Sequence, residues 1–475
     1  MDRRQFMTTT SMAAVSLSIS GPSIAQPAKG NPAAPGDARL NALLERIFME
    51  RVKRNPSFAT GLGLDKGPLA ALKGHFDTRP DARARAEDMA LAKRDLAAVR
   101  AINPATLSSS GRLNRDVIIY QATSGMIANE KFGIGSVQRP YPIFQQGGVY
   151  FSTPDFLNSS HTIDTAADAE AYLSRLALVD TLLDNDSVEQ KAQAARGFLA
   201  PAWSIDLTLG QMKKLRGVAA ADNGLVQSLT RRAAAKNIPG DWAARAAAIV
   251  DKEIYPALDR QIALMERLRP TSRPGDGAQR LPNGDAIYAA ALKQATTTNY
   301  TPDEVHRLGL AQVAEISGQL DVILKGAGFT QGSVGARLDQ LNRRADQVYP
   351  NTAEGRLALI ASLNDGVKDM AARLPRAFAT LPTQPLEIRA VPVEIQDGAS
   401  NGYYRSASLD GSRPAIYFIN LKDVGDWPKY SLPALTYHEG VPGHHLQISL
   451  AQESKDIPTL RKLGGFSAYS EGWAL

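Results

Sequence analysis

Three of the six histidines in this 475-residue chain, His438, His444 and His445, fall within eight residues and flank Glu439. The run reads Ser431-Leu432-Pro433-Ala434-Leu435-Thr436-Tyr437-His438-Glu439-Gly440-Val441-Pro442-Gly443-His444-His445-Leu446-Gln447. A His-Glu pair opens the H-E-x-x-H pattern. In that pattern two histidines four apart hold zinc from one helical face, and the glutamate takes a proton from the bound water. Here position 442 is proline. Its ring clashes with the carbonyl of residue 438 and removes a helical hydrogen bond. On an ideal helix His444 lies about 600° from His438 and faces elsewhere, while His445, about 700° away, sits ~10 Å further along the axis. Two imidazoles can therefore share an ion only if Val441-Pro442-Gly443 breaks or bulges the helix. His444 is preferred over His445 as the second ligand because a ligand pair needs the shorter reach. His445 is then expected either to support the ligand residues from behind or to polarise the substrate.

A third ligand is needed, and Glu453, Asp456 and Glu471 are the downstream candidates. Glu471 lies in the otherwise apolar segment Phe466-Ser467-Ala468-Tyr469-Ser470-Glu471-Gly472-Trp473-Ala474-Leu475. A carboxylate buried there is costly unless paired or metal-bound, so Glu471 is preferred. Two neutral imidazoles and a carboxylate suit one zinc ion with an open position for water. Glu439 is the expected general base. Tyr403, Tyr404 and Tyr437 are candidates for substrate contact, as His445 is, by nearness in sequence.

These residues need elements to hold them. Ser431 and Pro433 mark a helix start that delivers His438 and Glu439 after about two turns. Just upstream, residues 386–421 hold short β-type runs, Glu387–Ile395, Gly402–Tyr404 and Ala415–Ile419, separated by Asp-Gly and Asn-Gly turns. They predict a small antiparallel sheet beside the metal helix. The Ala415–Ile419 strand is expected to offer a free edge to an extended peptide. From Ala38 to about Pro382 the pattern is helical. Asp81–Ile102 carries one apolar stripe, Met89, Ala92, Leu96 and Val99, and Asp168–Leu183 another, Tyr172, Leu176, Val179 and Leu183. Thr301-Pro302-Asp303-Glu304 is a capping box with a first-turn proline. The stripe after it uses Val305, Leu308, Val313, Ile316 and Leu320 and leaves His306 on the surface. Gln138–Pro154 and Arg267–Pro282 read as irregular.

Composition narrows the field further. The chain has no cysteine, which removes disulfide scaffolds, thiolate metal sites and cysteine nucleophiles. The net charge of +6 comes without any run of five like charges, so no nucleic-acid partner is expected. There is no G-x-S-x-G elbow and no G-K-[ST] phosphate loop. Residues 1–25 read as a cleavable export signal: Arg3-Arg4 in a twin-arginine pattern, a mildly apolar Met7–Ser20, and Ser23-Ile24-Ala25 as a small-residue cleavage site. Residues 26–37 are a Pro/Ala/Gly-rich lead-in and 38–475 a single helical domain, with the sheet at about 386–421 and the metal site in 431–475. No apolar run reaches the ~20 residues that span a bilayer, so a periplasmic or secreted protein without a stable membrane anchor is expected.

The segments Tyr403-Tyr404, Leu409–Pro414, Phe418–Leu421, Leu435–Gln447 and Glu471–Leu475 together resemble the bacterial domain-of-unknown-function 885 family, which is placed with gluzincin-type metallopeptidases. Weaker echoes run through Pro56–Gly63, Tyr141–Phe156 leading to His161, Asp168–Leu176 and Thr301–Leu310. The resemblance implies a mainly α, zincin-like metallopeptidase fold around a deep cleft. It also implies a metal at His438, His444 and Glu471 with Glu439 as base. Members of that family continue past the Glu-Gly-Trp-Ala-Leu segment, so a C-terminal part is expected to be missing. The resulting expectation is an exported zinc-dependent hydrolase cutting peptides or related amides. The alternative is a non-catalytic periplasmic metal- or peptide-binding protein.

Overall fold

The computed structural model describes residues 34–475 apart from 394, 397 and 398. The expected export signal lies outside the described residues, as does most of the expected lead-in. The described chain is mainly helical. Its first half holds α1 (Pro35–Arg54), α2 (Pro56–Gly61), α3 (Asp81–Arg100), α4 (Ser109–Ile127), α5 (Val149–Ser159), α6 (Ala166–Leu176), α7 (Val179–Ala195), α8 (Ala202–Arg216), α9 (Gly224–Ala235), α10 (Trp242–Ile249) and α11 (Tyr255–Leu268). After α12 (Gly284–Thr296), α13 (Pro302–Gly326), α14 (Val334–Asn342) and α15 (Ala353–Arg373) comes the sheet: β1 (Leu386–Ala390), β2 (Gly402–Arg405) and β3 (Ala415–Ile419). The chain then ends with α16 (Leu432–Glu439), α17 (His444–Glu453), α18 (Thr459–Lys462) and α19 (Ser467–Ala474). No helix among the described residues is long and apolar enough to cross a membrane.

The largest core joins α5 to α11, and the Tyr172, Leu176, Val179 and Leu183 stripe is wholly inside it. That stripe spans two helices rather than one: α6 ends at Leu176 and α7 begins at Val179. Two other boundaries also shift. α1 starts at Pro35, within the expected lead-in, and Asp37 at its third position accepts the Ala34 N–H. α5 starts at Val149 and carries Pro154 internally, where an irregular segment was expected.

The sheet differs from expectation in a way that matters for the site. Its order is β1-β3-β2, with β1 parallel to β3 and β2 antiparallel to it. The sheet is therefore mixed, not antiparallel, because the chain crosses over between β1 and its partner. β3 is the central strand, every residue of it buried. Both of its edges are occupied, so it has no free edge to offer a peptide. Tyr417 and Ile419 of β3 pack with Leu359 and Leu363 of α15 and Leu432 of α16. That small core seats α16 on the sheet.

α13 corrects a second expectation. Its capping box forms as predicted, but its apolar stripe is not a core stripe. Leu308, Val313 and Ile316 are 49%, 63% and 53% exposed, and Leu324 is the helix's buried residue. Periodicity reports an apolar face; it does not say that another element covers it. His306 is exposed, as expected.

A candidate metal centre between two short helices

α16 begins at Leu432 with Pro433 in its first turn and ends at Glu439. The chain then turns through Gly440–Gly443 and restarts as α17 at His444. The Gly443 N–H donates to the Tyr437 carbonyl (2.9 Å) and the His445 N–H to the Gly440 carbonyl (3.0 Å). A Cβ added to Gly443 would lie 2.0 Å from the His438 carbonyl oxygen, so only glycine lets the second helix start this close to the first. The predicted break thus takes the form of two helices meeting at a tight corner.

That corner brings the two imidazoles together. The His438 and His444 rings are 4.6 Å apart, edge to face. Glu471 reaches them from α19, its Oε2 3.3 Å from His438 Nε2 and 3.6 Å from His444 Nε2. Both separations exceed an ordinary N–H···O bond of about 2.7–3.2 Å. One ligand atom from each residue lies within 4.8 Å of the others. Glu471 itself is 57% exposed, so burial is not the reason it sits there; the expectation that it would be a buried carboxylate is corrected. α19 is held in place instead by Trp473, whose indole N–H donates to the Pro442 carbonyl (2.9 Å) and whose ring meets Phe378.

Glu439, the last residue of α16, is buried. Burial, reinforced by the negative charge of Glu471, pushes its carboxyl up to about 7. Its Oε2 is buried without a hydrogen-bond partner, as is His444 Nδ1. Burial also holds His444 below the ordinary imidazole value, opposed by Glu471. A set of two imidazole nitrogens and one carboxylate oxygen, converging without internal hydrogen bonds, is a donor set that fits a zinc-like divalent ion.

His445 does not join this cluster. Its Nε2 donates to the Gln384 carbonyl (3.0 Å), and its Nδ1 faces the hydroxyls of Tyr404 (3.2 Å) and Ser449 (3.3 Å). Both ring nitrogens are engaged, so of the two roles expected of His445 its bonds match the supporting one: the ring supports Tyr404. Glu453, a rival for the third ligand, accepts the backbone N–H groups of Thr383 and Gln384 (2.8 and 3.0 Å) and thereby fixes the carbonyl that His445 binds.

Of the three candidate tyrosines, only Tyr404 lies with the histidines, its ring 6.2 Å from that of His444. Tyr403, its neighbour on β2, points to the other face of the sheet and stacks on Phe418 at 4.8 Å. Tyr437 borders a separate cavity of about 170 Å³ beside α15. Tyr403 thus faces away from the His438–His444–Glu471 cluster. Sequence reasoning did not reach Gln384, which acts through a backbone carbonyl and leaves no side-chain signature. Ser449 had a faint signal, four residues after His445 on one helical face.

The bacterial family described as a protein of unknown function (DUF885) matches residues 56–475. Among solved structures, the crystal structure of "the putative lipoprotein from Colwellia psychrerythraea" is 27% identical, with a TM-score of 0.84 over 92% of this chain and 76% of that one. No curated protein matches the chain.

Proposed function

The chain belongs to the bacterial DUF885 family, and from that starting point we propose that it is an exported, zinc-dependent hydrolase, a peptidase of zincin-like kind acting on peptides or related amides. The observation that carries this reading is the convergence of His438 Nε2, His444 Nε2 and Glu471 Oε2 next to a buried, partner-free Glu439 oxygen. The lipoprotein description of the Colwellia structure and the twin-arginine pattern of residues 1–25 support export.

His438, His444 and Glu471 would hold the ion. Such an ion would supply Lewis acidity, bringing the pKa of a water toward ~7. Glu439, with its carboxyl raised to about 7, would serve as the general base, its free Oε2 accepting a proton and returning it to a leaving amine. The Tyr404 ring packs beside His444, and the His445–Gln384 bond fixes His445 to hold the Tyr404 hydroxyl.

The test is elemental analysis of chelator-free protein together with hydrolysis of a peptide library. About one zinc per chain is expected. Glu439→Gln should keep the metal and lose about 10²–10⁴-fold in rate. Protein without metal overturns the reading. Metal retained without any hydrolysis favours the non-catalytic binding protein instead.

A further inference from the structure

Tyr417 Oη, Thr436 Oγ1 and Glu439 Oε2 are all buried without a hydrogen-bond partner. The buried residues of α16 are Leu432, Thr436 and Glu439. Spaced by four and then three, they share one face of the helix. Leu432 packs in the same small core as Tyr417, which sets that face against β3. Tyr417 is the middle residue of β3 and fully buried. Its register partner on β2 is Tyr404, and residues directly opposite in an antiparallel pair project to the same side of the sheet. Tyr417 therefore stands on the side where the Tyr404 ring lies beside His444. The neighbouring pair, Tyr403 and Phe418, occupies the other side.

The three orphan groups are chemically complementary. Burial pushes the Tyr417 phenol above its ordinary value, the Thr436 hydroxyl beside it lowers it, and the charge of Glu439 raises it. A neutral phenol can donate, an ionised carboxylate only accepts, and a threonine hydroxyl does both. A phenylalanine at 417 would fill the same core and leave no buried hydroxyl to satisfy. Hydrogen bonds to a catalytic group are often open in a resting site and close in the Michaelis complex. We infer that Tyr417 is a positioning residue for Glu439: its phenol, together with the Thr436 hydroxyl, donates to the Glu439 carboxylate and fixes its orientation as the base. This rests on the peptidase reading above.

Tyr417→Phe keeps the ring and its packing, so the test bears on the hydroxyl alone. With the whole, zinc-loaded chain and a peptide that the wild type cleaves, Tyr417→Phe should lower kcat roughly 10-fold or more, the equivalent of one hydrogen bond to a charged group. KM and zinc content should not change. In the Glu439→Gln background the same substitution should cost nothing further, because it acts through Glu439. Thr436→Val should lower kcat and Thr436→Ser restore it. An equal loss in both backgrounds, or an unchanged kcat, overturns the inference. A second readout does not need activity. The infrared carboxylate band of Glu439, taken as the difference between each protein and its Glu439→Gln counterpart, should shift in Tyr417→Phe and stay in place in Tyr403→Phe. An unshifted band in Tyr417→Phe, or an equal shift in Tyr403→Phe, overturns the inference whatever the activity. No hydrolysis by the wild type together with the expected band shift would overturn the peptidase reading and leave the Tyr417–Glu439 bond standing.

Discussion

Two histidine neighbourhoods in this protein, one buried and one half-open, use the same residue types to opposite ends. Around His161 every polar atom is engaged. Its Nε2 donates to the Asp168 carbonyl (2.9 Å), and its Nδ1 accepts from Arg175 (3.1 Å). Arg175, fully buried, also donates to the carbonyls of His75, Pro56 and Leu72 and to Thr60 Oγ1, with its guanidinium against the Phe76 and Phe156 rings. Arg232 donates to the His161 carbonyl. Around His438 and His444 the imidazole nitrogens converge on a carboxylate at distances too long for good hydrogen bonds, and a glutamate oxygen and His444 Nδ1 stay unpartnered. The first arrangement is complete without a ligand. The second has donor atoms directed at a shared point, and such unsatisfied groups are costly unless function retains them.

The largest contrast should appear in stability. Arg175→Met leaves three carbonyls, the Thr60 hydroxyl and His161 Nδ1 without their donor. We expect a loss of about 3–5 kcal/mol, on the scale of breaking a buried charged network. His438→Ala, made in the chelated protein, should cost under ~1 kcal/mol, because no good hydrogen bond is lost. Urea unfolding of both variants in excess chelator checks this. Comparable costs would erase the distinction between the two neighbourhoods.

A smaller effect lies in the pH dependence. Burial pushes the His161 imidazole down to about 3, whereas the unfolded chain protonates near the ordinary value of about 6.5. Below that value the unfolded state binds a proton that the folded state does not. The folded state therefore loses stability as pH falls from about 6.5 toward 3, by up to about 1.4 kcal/mol per pH unit from this group. His161→Asn should flatten that slope relative to the wild type in unfolding measured from pH 7 to pH 4. Parallel curves would show that His161 is not the buried neutral group its bonds imply.

What the sequence could show of these two regions follows from how each signal is written. His438, Glu439, His444 and Glu471 were legible because metal-type residues were clustered in a histidine-poor chain and Pro442-Gly443 announced a break between them. Glu471 was chosen on a burial argument that the exposed α19 does not support; it lies beside His438 and His444 all the same. The parallel β1–β3 pairing was not legible, since turn signals describe neighbouring strands and not a partner that begins about 25 residues on. The exposed stripe of α13 shows the same limit for helices. Tyr403 and Tyr404 looked equivalent in sequence; the pleat alone put one beside Phe418 and the other beside the histidines. The closed network of His161 left almost no trace, because half of its partners are backbone carbonyls.

The finest test of the comparison lies where the two kinds of neighbourhood meet, at Tyr404. Its hydroxyl belongs to a satisfied network, through His445 to Gln384, while its ring lies beside His444 of the unsatisfied one. Tyr404→Phe keeps the ring and removes the hydroxyl. Ser449 Oγ is already 3.3 Å from the same His445 nitrogen and can take over the donation, so the stability loss should stay below ~1 kcal/mol. Tyr404→Leu removes the ring as well and should release His444 on that side. If Tyr404 acts as a wall for His444, zinc affinity is unchanged in Tyr404→Phe and falls in Tyr404→Leu, as read by competition with a chelating dye. Equal zinc affinity in both variants would assign Tyr404 to the satisfied network alone and draw the boundary of the candidate metal centre at His444 itself.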